Sequence, residues 1–243
     1  MRISEIFASF QGEGFLTGTP SIFVRVSGCP LRCTFCDTAY AQNASAGAEF
    51  SVEETVKKVR TLAEAPKFPD FGTPNSKYFR TDFPAPTDRI CHVVLTGGEP
   101  MACADSVPLT AALRELGFHI TVETCGTRVL DVTCDLMSIS PKMSNSGNPA
   151  PLRDVSRTLP ELVRKYEYQI KFVVDTASDL EEIEEFLCEF SIVRRNRVIL
   201  MPQGQTPEEV SAREEWLRKY AYSHDLQVLT RAHLYWYGNR RGT

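Results

Sequence analysis

The feature that most limits how this chain can fold is a recurrence: short β-rich runs separated by amphipathic helical stretches. Ile22–Val26, Cys91–Thr96, His119–Glu123, Leu136–Ser140, Gln169–Val174, Arg197–Met201 and Gln227–Thr230 read as strands. Helical patterns fall between them at residues 52–64, Ser106–Leu116, Pro160–Tyr166, Asp179–Phe190 and Pro207–His224, the first opened by the capping box Ser51-Val-Glu-Glu54. Repeated strand–helix units predict an α/β fold with a parallel sheet and right-handed crossovers. About six units predict a partial, open parallel β/α barrel, because 243 residues that also carry an amino-terminal segment and long polar loops are short of a closed eight-fold barrel. Ala65–Asp88, rich in Pro, Phe, Thr and Asp without a period, reads as a long excursion: a surface insertion, a lid or a dimer contact. Residues 1–243 otherwise read as one domain.

A sheet of this kind leaves its chemistry to the loops, so charge and composition narrow the ligand. The net charge is −4 with both signs interspersed, which gives no broad footprint for a nucleic-acid backbone or an anionic membrane. No apolar run reaches the roughly 18 residues that span a bilayer, and Met-Arg-Ile-Ser-Glu-Ile-Phe lacks the charged-then-apolar order of a signal peptide. The expectation is a cytoplasmic protein with a small-molecule substrate and neither nucleic acid nor membrane as partner.

Three of the eight cysteines are packed into Cys29-Pro-Leu-Arg-Cys33-Thr-Phe-Cys36, while Cys91, Cys103, Cys125, Cys134 and Cys188 stand singly. Clustered thiols on a loop just after a strand favour a metal or cluster site over a disulfide framework. Three thiolates at these spacings can hold three irons of a [4Fe–4S] cluster and leave the fourth open to chelate a sulfonium cofactor. A structural zinc ion is the bland alternative. It wants four ligands, and no well-spaced Cys or His completes the set near this loop.

The C-x3-C-x2-C loop, with the aromatic Phe35 before the last cysteine, resembles the signature of the radical S-adenosylmethionine superfamily. Leu95-Thr96-Gly97-Gly98-Glu99-Pro100, which ends a predicted strand, resembles the superfamily's cofactor-binding Gly-Gly-Glu-Pro segment. Val122-Glu123-Thr124-Cys125-Gly126, Ser138-Ile139-Ser140-Pro141-Lys142 and Leu200-Met201-Pro202-Gln203-Gly204 also set polar groups at carboxyl ends of strands. In parallel β/α folds those ends converge on one mouth, so four in register point to a shared site rather than to four unrelated turns.

Two further segments add to that mouth. Ser9-Phe10-Gln11-Gly12-Glu13-Gly14 presents polar groups around permissive glycines, as suits a planar heterocycle, or is only a turn. Period-two alternation in Ser21–Val26 puts Ile22, Val24 and Val26 on one face and Phe23 with Arg25 on the other, so Arg25 faces the barrel interior or snorkels at the surface. Taken with Cys-Asp-Thr at 36–38, these segments resemble the 7-carboxy-7-deazaguanine synthase family of queuosine and 7-deazapurine biosynthesis, over most of the chain.

The resemblance implies a lyase that converts 6-carboxy-5,6,7,8-tetrahydropterin to 7-carboxy-7-deazaguanine with loss of ammonia, by hydrogen abstraction at C6 and ring contraction. It implies Phe10, Gln11, Gly12, Glu13, Arg25, Thr96 and His233 as pterin ligands, with the Thr243 carboxylate as a further one. Phe35, Cys36, Asp37, Gly98, Glu123, Ser140, Pro141, Lys142 and Gln203 would surround S-adenosylmethionine, Thr38 would coordinate Mg²⁺, and Cys29, Cys33 and Cys36 would hold the cluster. A homodimer fed by a flavodoxin or ferredoxin is the implied assembly. Tyr235, Trp236 and Tyr237 near the end of the chain read as covering the barrel or burying a dimer surface. Two rival readings stand beside this one: another short radical enzyme, such as a glycyl-radical activating enzyme, and a non-catalytic iron–sulfur or zinc module.

Overall fold

The computed structural model describes residues 1–65 and 89–242. The Ala65–Asp88 excursion, apart from its first residue, lies outside the described residues, as does Thr243. The chain opens with a hairpin, β1 (Arg2–Phe10) and β2 (Pro20–Val26), followed by the two-residue β3 (Ala48–Glu49) and α1 (Val52–Glu64). Strand–helix units follow: β4 (His92–Gly97) and α2 (Ser106–Glu115), β5 (His119–Thr124), β6 (Leu136–Ile139), the short α3 (Ala150–Arg153) and α4 (Leu159–Lys165). The series ends with β7 (Tyr168–Val174), α5 (Ala177–Glu189), β8 (Val198–Pro202), α6 (Pro207–Ser223), β9 (Gln227–Val228) and α7 (Ala232–Tyr237).

The nine strands of the described residues form one open sheet in the order β3-β1-β2-β4-β5-β6-β7-β8-β9. From β2 through β4 to β9 every pairing is parallel, which is the open β/α barrel expected from the alternation. The strands expected from the sequence are the parallel ones, β2 and β4 to β9, and the sheet adds β1 and β3 at one edge. The residues before Ile22 form β1, antiparallel to β2 in a register from Ile3↔Val26 to Phe10↔Pro20, so Ser9 and Phe10 belong to a strand rather than to a turn ahead of the first one. The physical reason is local: Ser4, Glu5 and Ser9 dilute the apolar signal of β1, and what makes it a strand is pairing with both β2 and β3.

Alternation along the strands separates core from site. Ile22, Val24 and Val26 of β2, Val93 and Leu95 of β4, Ile120 and Val122 of β5, and Ile170, Phe172 and Val174 of β7 are fully buried under the helices, against side chains such as Leu109, Leu162, Ile183 and Leu217. Each such side chain contributes about 1.5–3 kcal/mol of burial. The intervening residues point to the other face of the sheet. At the amino ends of the strands that face is closed by neutral hydrogen bonds: His92 joins Ser21 Oγ through Nδ1 at 2.7 Å and Thr121 Oγ1 through Nε2 at 2.8 Å. The hairpin end is closed by α7, whose Trp236 and Tyr237 pack with Phe10 and Ala232 in a small second cluster. Trp236 and Tyr237 are therefore buried within the chain and cover the hairpin end of the barrel, while Tyr235 is partly buried.

Candidate functional site

At the carboxyl ends of the strands the sheet opens into a cavity of about 490 Å³. Its volume lies in the range of small-molecule sites. Phe23 and Arg25 of β2 line it, as the alternation requires, and so do Thr96 of β4, Glu123 of β5 and Lys171 of β7. The loop between β1 and β2 folds over the β7 side: Phe15 N–H donates to Gln169 Oε1 at 2.8 Å, and Gln169 Nε2 donates to Ser138 Oγ at 2.8 Å. The end of β1 brings Phe10 to the wall, and the loop brings Gln11, Gly12 and Glu13. His233 of α7 lies against Gly12 so closely that a Cβ there would stand 2.5 Å from the imidazole, so only glycine lets the two segments meet.

The cysteine loop forms the opposite wall, with Cys29, Cys33 and Cys36 all half-buried and facing the cavity. It is locked to the end of β4 by backbone bonds, Gly98 N–H to Val26 O at 2.9 Å and Glu99 N–H to Gly28 O at 2.8 Å. A Cβ on Gly98 would sit 2.1 Å from Gly28 O, which explains the glycine that follows that strand. Glu99 is buried and serves as a tie: its carboxylate accepts from Met101 N–H, Thr124 Oγ1 and Cys125 N–H. Each sulfur has a partner. Leu31 N–H reaches Cys29 Sγ at 3.4 Å, Asn148 Nδ2 reaches Cys33 Sγ at 3.2 Å, and Thr38 Oγ1 is 3.8 Å from Cys36 Sγ. Burial pushes the Cys29 and Cys33 thiols up; at Cys33, Lys142 and Asn148 pull the other way. Three cysteines lining one cavity, each sulfur with a hydrogen-bonding partner, suit an iron–sulfur cluster, whose potential is tuned by such hydrogen bonds.

Between these walls runs a network of buried charges. Lys171 Nζ, almost wholly enclosed, bridges Glu13 at 2.9 Å and Glu123 at 3.3 Å. Glu123 also accepts from Thr96 Oγ1 at 2.8 Å and Gln11 Nε2 at 3.3 Å. Arg231 is bound to Glu13 at 3.3 Å, to Asp37, and to Gly204 O at 2.5 Å. Burial alone would push the Glu13 carboxyl up, but Lys171 and Arg231 hold it well below the usual carboxylate range. Likewise burial would depress Lys171, yet Glu123 and Glu13 keep it charged. His233 is lowered by burial and by Arg231, so the imidazole is neutral at neutral pH. Glu13, Asp37 and His233 place ligand atoms within 4.8 Å of one another. Both carboxylates already face buried cations, so the trio is better described as part of the ionic network than as a metal site.

A second cluster holds Arg25. Its Nε donates to Glu5 Oε1 at 2.7 Å, and Tyr40 donates to the same oxygen at 2.5 Å. The guanidinium lies 5.9 Å from the Phe7 ring, which stacks on Phe23. Arg25 therefore faces the interior with its orientation fixed by a carboxylate from β1, and the surface alternative falls. Its pKa is raised: burial opposes the charge, and Tyr40, Glu5 and Asp37 outweigh it.

Of the residues nominated from sequence, the cavity gathers nearly all. Phe35, Cys36, Asp37 and Thr38 reach it from the cysteine loop, and Gly98, Ser140, Lys142 and Gln203 from the ends of β4, β6 and β8. Lys142 Nζ donates to Ser140 Oγ at 2.7 Å. Among the described residues Pro141 is the exception: it is buried but does not line the cavity, and it lies between two residues that do. Lys171, Arg231 and Glu5 were not nominated. Lys171 carried a signal, as a lone cation in the run Tyr168-Gln-Ile-Lys-Phe-Val-Val at a position alternate to the apolar ones; Arg231 and Glu5 carried none, because tertiary contacts alone bring them in.

Fold and site together define a partial-barrel protein of the radical S-adenosylmethionine type. The chain is similar in structure to QueE from Escherichia coli, with a TM-score of 0.67 and 24% identity over 96% of this chain and 94% of that one. It also resembles Streptococcus suis SuiB bound to S-adenosylmethionine, with a TM-score of 0.52 and 14% identity over 86% of this chain and 51% of the other. No family model matches the chain. Among curated proteins, a 7-carboxy-7-deazaguanine synthase from Rhodopirellula baltica is 39% identical across 100% of this chain and 89% of its own length. Those of Halobacterium salinarum and Pyrobaculum aerophilum are each 37% identical, over 96% and 100% of this chain and 89% and 97% of their own lengths. The chain belongs to the 7-carboxy-7-deazaguanine synthase family.

Proposed function

We infer that the protein is a radical S-adenosylmethionine lyase that converts 6-carboxy-5,6,7,8-tetrahydropterin to 7-carboxy-7-deazaguanine with loss of ammonia. The observation that carries this reading is the meeting of a three-cysteine loop and a buried ionic network in one cavity, in a chain of this family. Cys29, Cys33 and Cys36 would hold a [4Fe–4S] cluster and leave one iron for the cofactor. When bound, cluster and S-adenosylmethionine would supply a carbon radical able to take hydrogen from C6 of the pterin.

The chain's own residues then orient and enclose. Phe35, Gly98, Ser140, Lys142 and Gln203 ring the cysteine side, as the cofactor requires. Arg25, held by Glu5, offers a fixed guanidinium fork for the substrate carboxylate. Glu13, kept ionised by Lys171 and Arg231, is an acceptor for the N–H edge of the pyrimidine-like ring, and Gln11, Thr96 and neutral His233 add neutral hydrogen-bond partners. Thr38 places a hydroxyl in the cavity, a hard oxygen donor of the kind Mg²⁺ takes, and that ion would supply Lewis-acid templating of the substrate oxygens. Among the described residues no helix is long and apolar enough to cross a membrane. A single partial-barrel domain acting in the cytoplasm as a homodimer, with a flavodoxin or ferredoxin as electron donor, completes the proposal.

Anaerobic reconstitution of the cluster, followed by S-adenosylmethionine, reductant, Mg²⁺ and 6-carboxytetrahydropterin, tests it by mass spectrometry. Formation of 5′-deoxyadenosine together with 7-carboxy-7-deazaguanine is expected. Cofactor cleavage without the deazaguanine, pterin binding having been verified, overturns the substrate; an intact cluster that never cleaves the cofactor points to a non-catalytic module.

A further inference from the structure

Arg231 is 8% exposed and spends its guanidinium on three separate loops. Nε donates to Glu13 Oε1 at 3.3 Å on the β1–β2 loop, Nη2 to Asp37 Oδ2 on the cysteine loop, and Nη1 to Gly204 O at 2.5 Å after β8. Its own backbone segment is pinned to the first of these, since Ala232 N–H donates to Gly12 O at 2.9 Å. In the reading above, Glu13 faces the pterin, while Asp37 and the β8 end with Gln203 face the cofactor. Lys171, which also lines the cavity, bridges Glu13 to Glu123 instead.

We propose that Arg231 is a positioning residue that couples S-adenosylmethionine binding to pterin binding, an inference that rests on the assignment of those two ligands. The physical argument is the rigidity of the fork. A guanidinium is planar, so its donors cannot follow three acceptors independently, and when a ligand fixes Asp37 the plane is fixed for Glu13 as well. Burial sharpens the effect, because charges in a site closed to water are weakly screened. A first ligand thus orders the carboxylate that the second must meet, and the second binds without that ordering cost. The competing account is that Arg231 merely neutralises two carboxylates; that role lowers thermal stability when lost but leaves the two affinities independent.

The experiment is calorimetric titration of the cluster-loaded protein under anaerobic conditions, with no reductant so that nothing turns over. S-adenosylmethionine is titrated with and without saturating 6-carboxytetrahydropterin and Mg²⁺, and the pterin with and without the cofactor. The unaltered protein should show each ligand tightening the other by the same factor, within the roughly 5–150-fold range of such couplings. In Arg231→Met each ligand should still bind alone while the factor falls to within about twofold of unity. Arg231→Lys keeps the charge without the fork and should lose most of the coupling too, which preserves the test if the methionine variant does not fold. Full coupling retained in either variant overturns the proposal, as does independent binding in the unaltered protein. Failure of the unaltered protein to bind the pterin at all overturns the substrate reading, a result distinguishable because it needs no variant.

Discussion

The two ends of the barrel solve the same problem differently. At the amino ends, the buried polar side chains of Ser21, His92 and Thr121 satisfy one another as neutral groups, with His92 pushed down to about 3 by burial and by His119. At the carboxyl ends, the buried cations Lys171 and Arg231 pair with the carboxylates of Glu13, Glu123 and Asp37, which are partly open to the cavity. Neutral hydrogen bonds cost little to bury, whereas buried ions are worth keeping only where something other than stability is gained. The contrast marks one end as architecture and the other as a site built to meet charged and polar ligand groups.

The largest effect that would sharpen the contrast is at the cysteine loop. Cys33→Ala should abolish cofactor cleavage, measured as 5′-deoxyadenosine, and cluster absorbance, while circular dichroism stays unchanged because the sulfur lies outside the hydrophobic core. Gly98→Ala should act almost as strongly by a different route. A Cβ 2.1 Å from Gly28 O forces the cysteine loop off the end of β4, so iron content and melting temperature should fall together. A Gly98→Ala protein that keeps full iron content would show the loop to be less tightly held than the geometry says.

Next comes the ionic centre. Lys171→Met leaves Glu13 and Glu123 facing each other without their shared cation, and should cost about 3–5 kcal/mol in denaturant unfolding as well as product formation. A loss below about 1 kcal/mol would mean that water or protonation relieves the pair, and would weaken the contrast between the two ends. Arg25→Lys keeps a charge on β2 but not the bidentate fork. It should lower kcat/KM for the carboxypterin by about 10–100-fold, with cofactor affinity measured separately and unchanged.

The smallest effect belongs to the amino end. Because the folded-state pKa of His92 is depressed from 6.5 to about 3, the neutral ring stabilises the fold above pH 6.5, and that stability is lost as pH falls from 6.5 toward 3. The slope contributed by this one proton is at most about 1.4 kcal/mol per pH unit. His92→Gln should remove that contribution from the pH dependence of unfolding and leave the specific activity within about twofold, since no ligand contact is lost. A large drop in activity at constant stability would show the amino end to be part of the site after all.

Much of this was legible in the chain. Strand–helix alternation determined the parallel open sheet, because a period of two or of 3.6 is a local property that needs no knowledge of neighbours. The spacing of Cys29, Cys33 and Cys36 and the polar strand ends determined where the mouth lies and most of what lines it, because parallel strands all end on one side. Even the inward aim of Arg25 followed from alternation within β2. Tertiary structure alone decided the rest. β1 is a strand because β2 and β3 pair with it, Pro141 is set behind the wall, and Trp236 and Tyr237 are buried because Phe10 meets them. Arg231 and Glu5 became parts of the site only when residues more than 190 and about 20 positions away arrived beside them, as the Asp37 and Arg25 contacts show. A side chain's charge is written in the sequence, but which opposite charge it meets is set by chain crossings that no local pattern encodes.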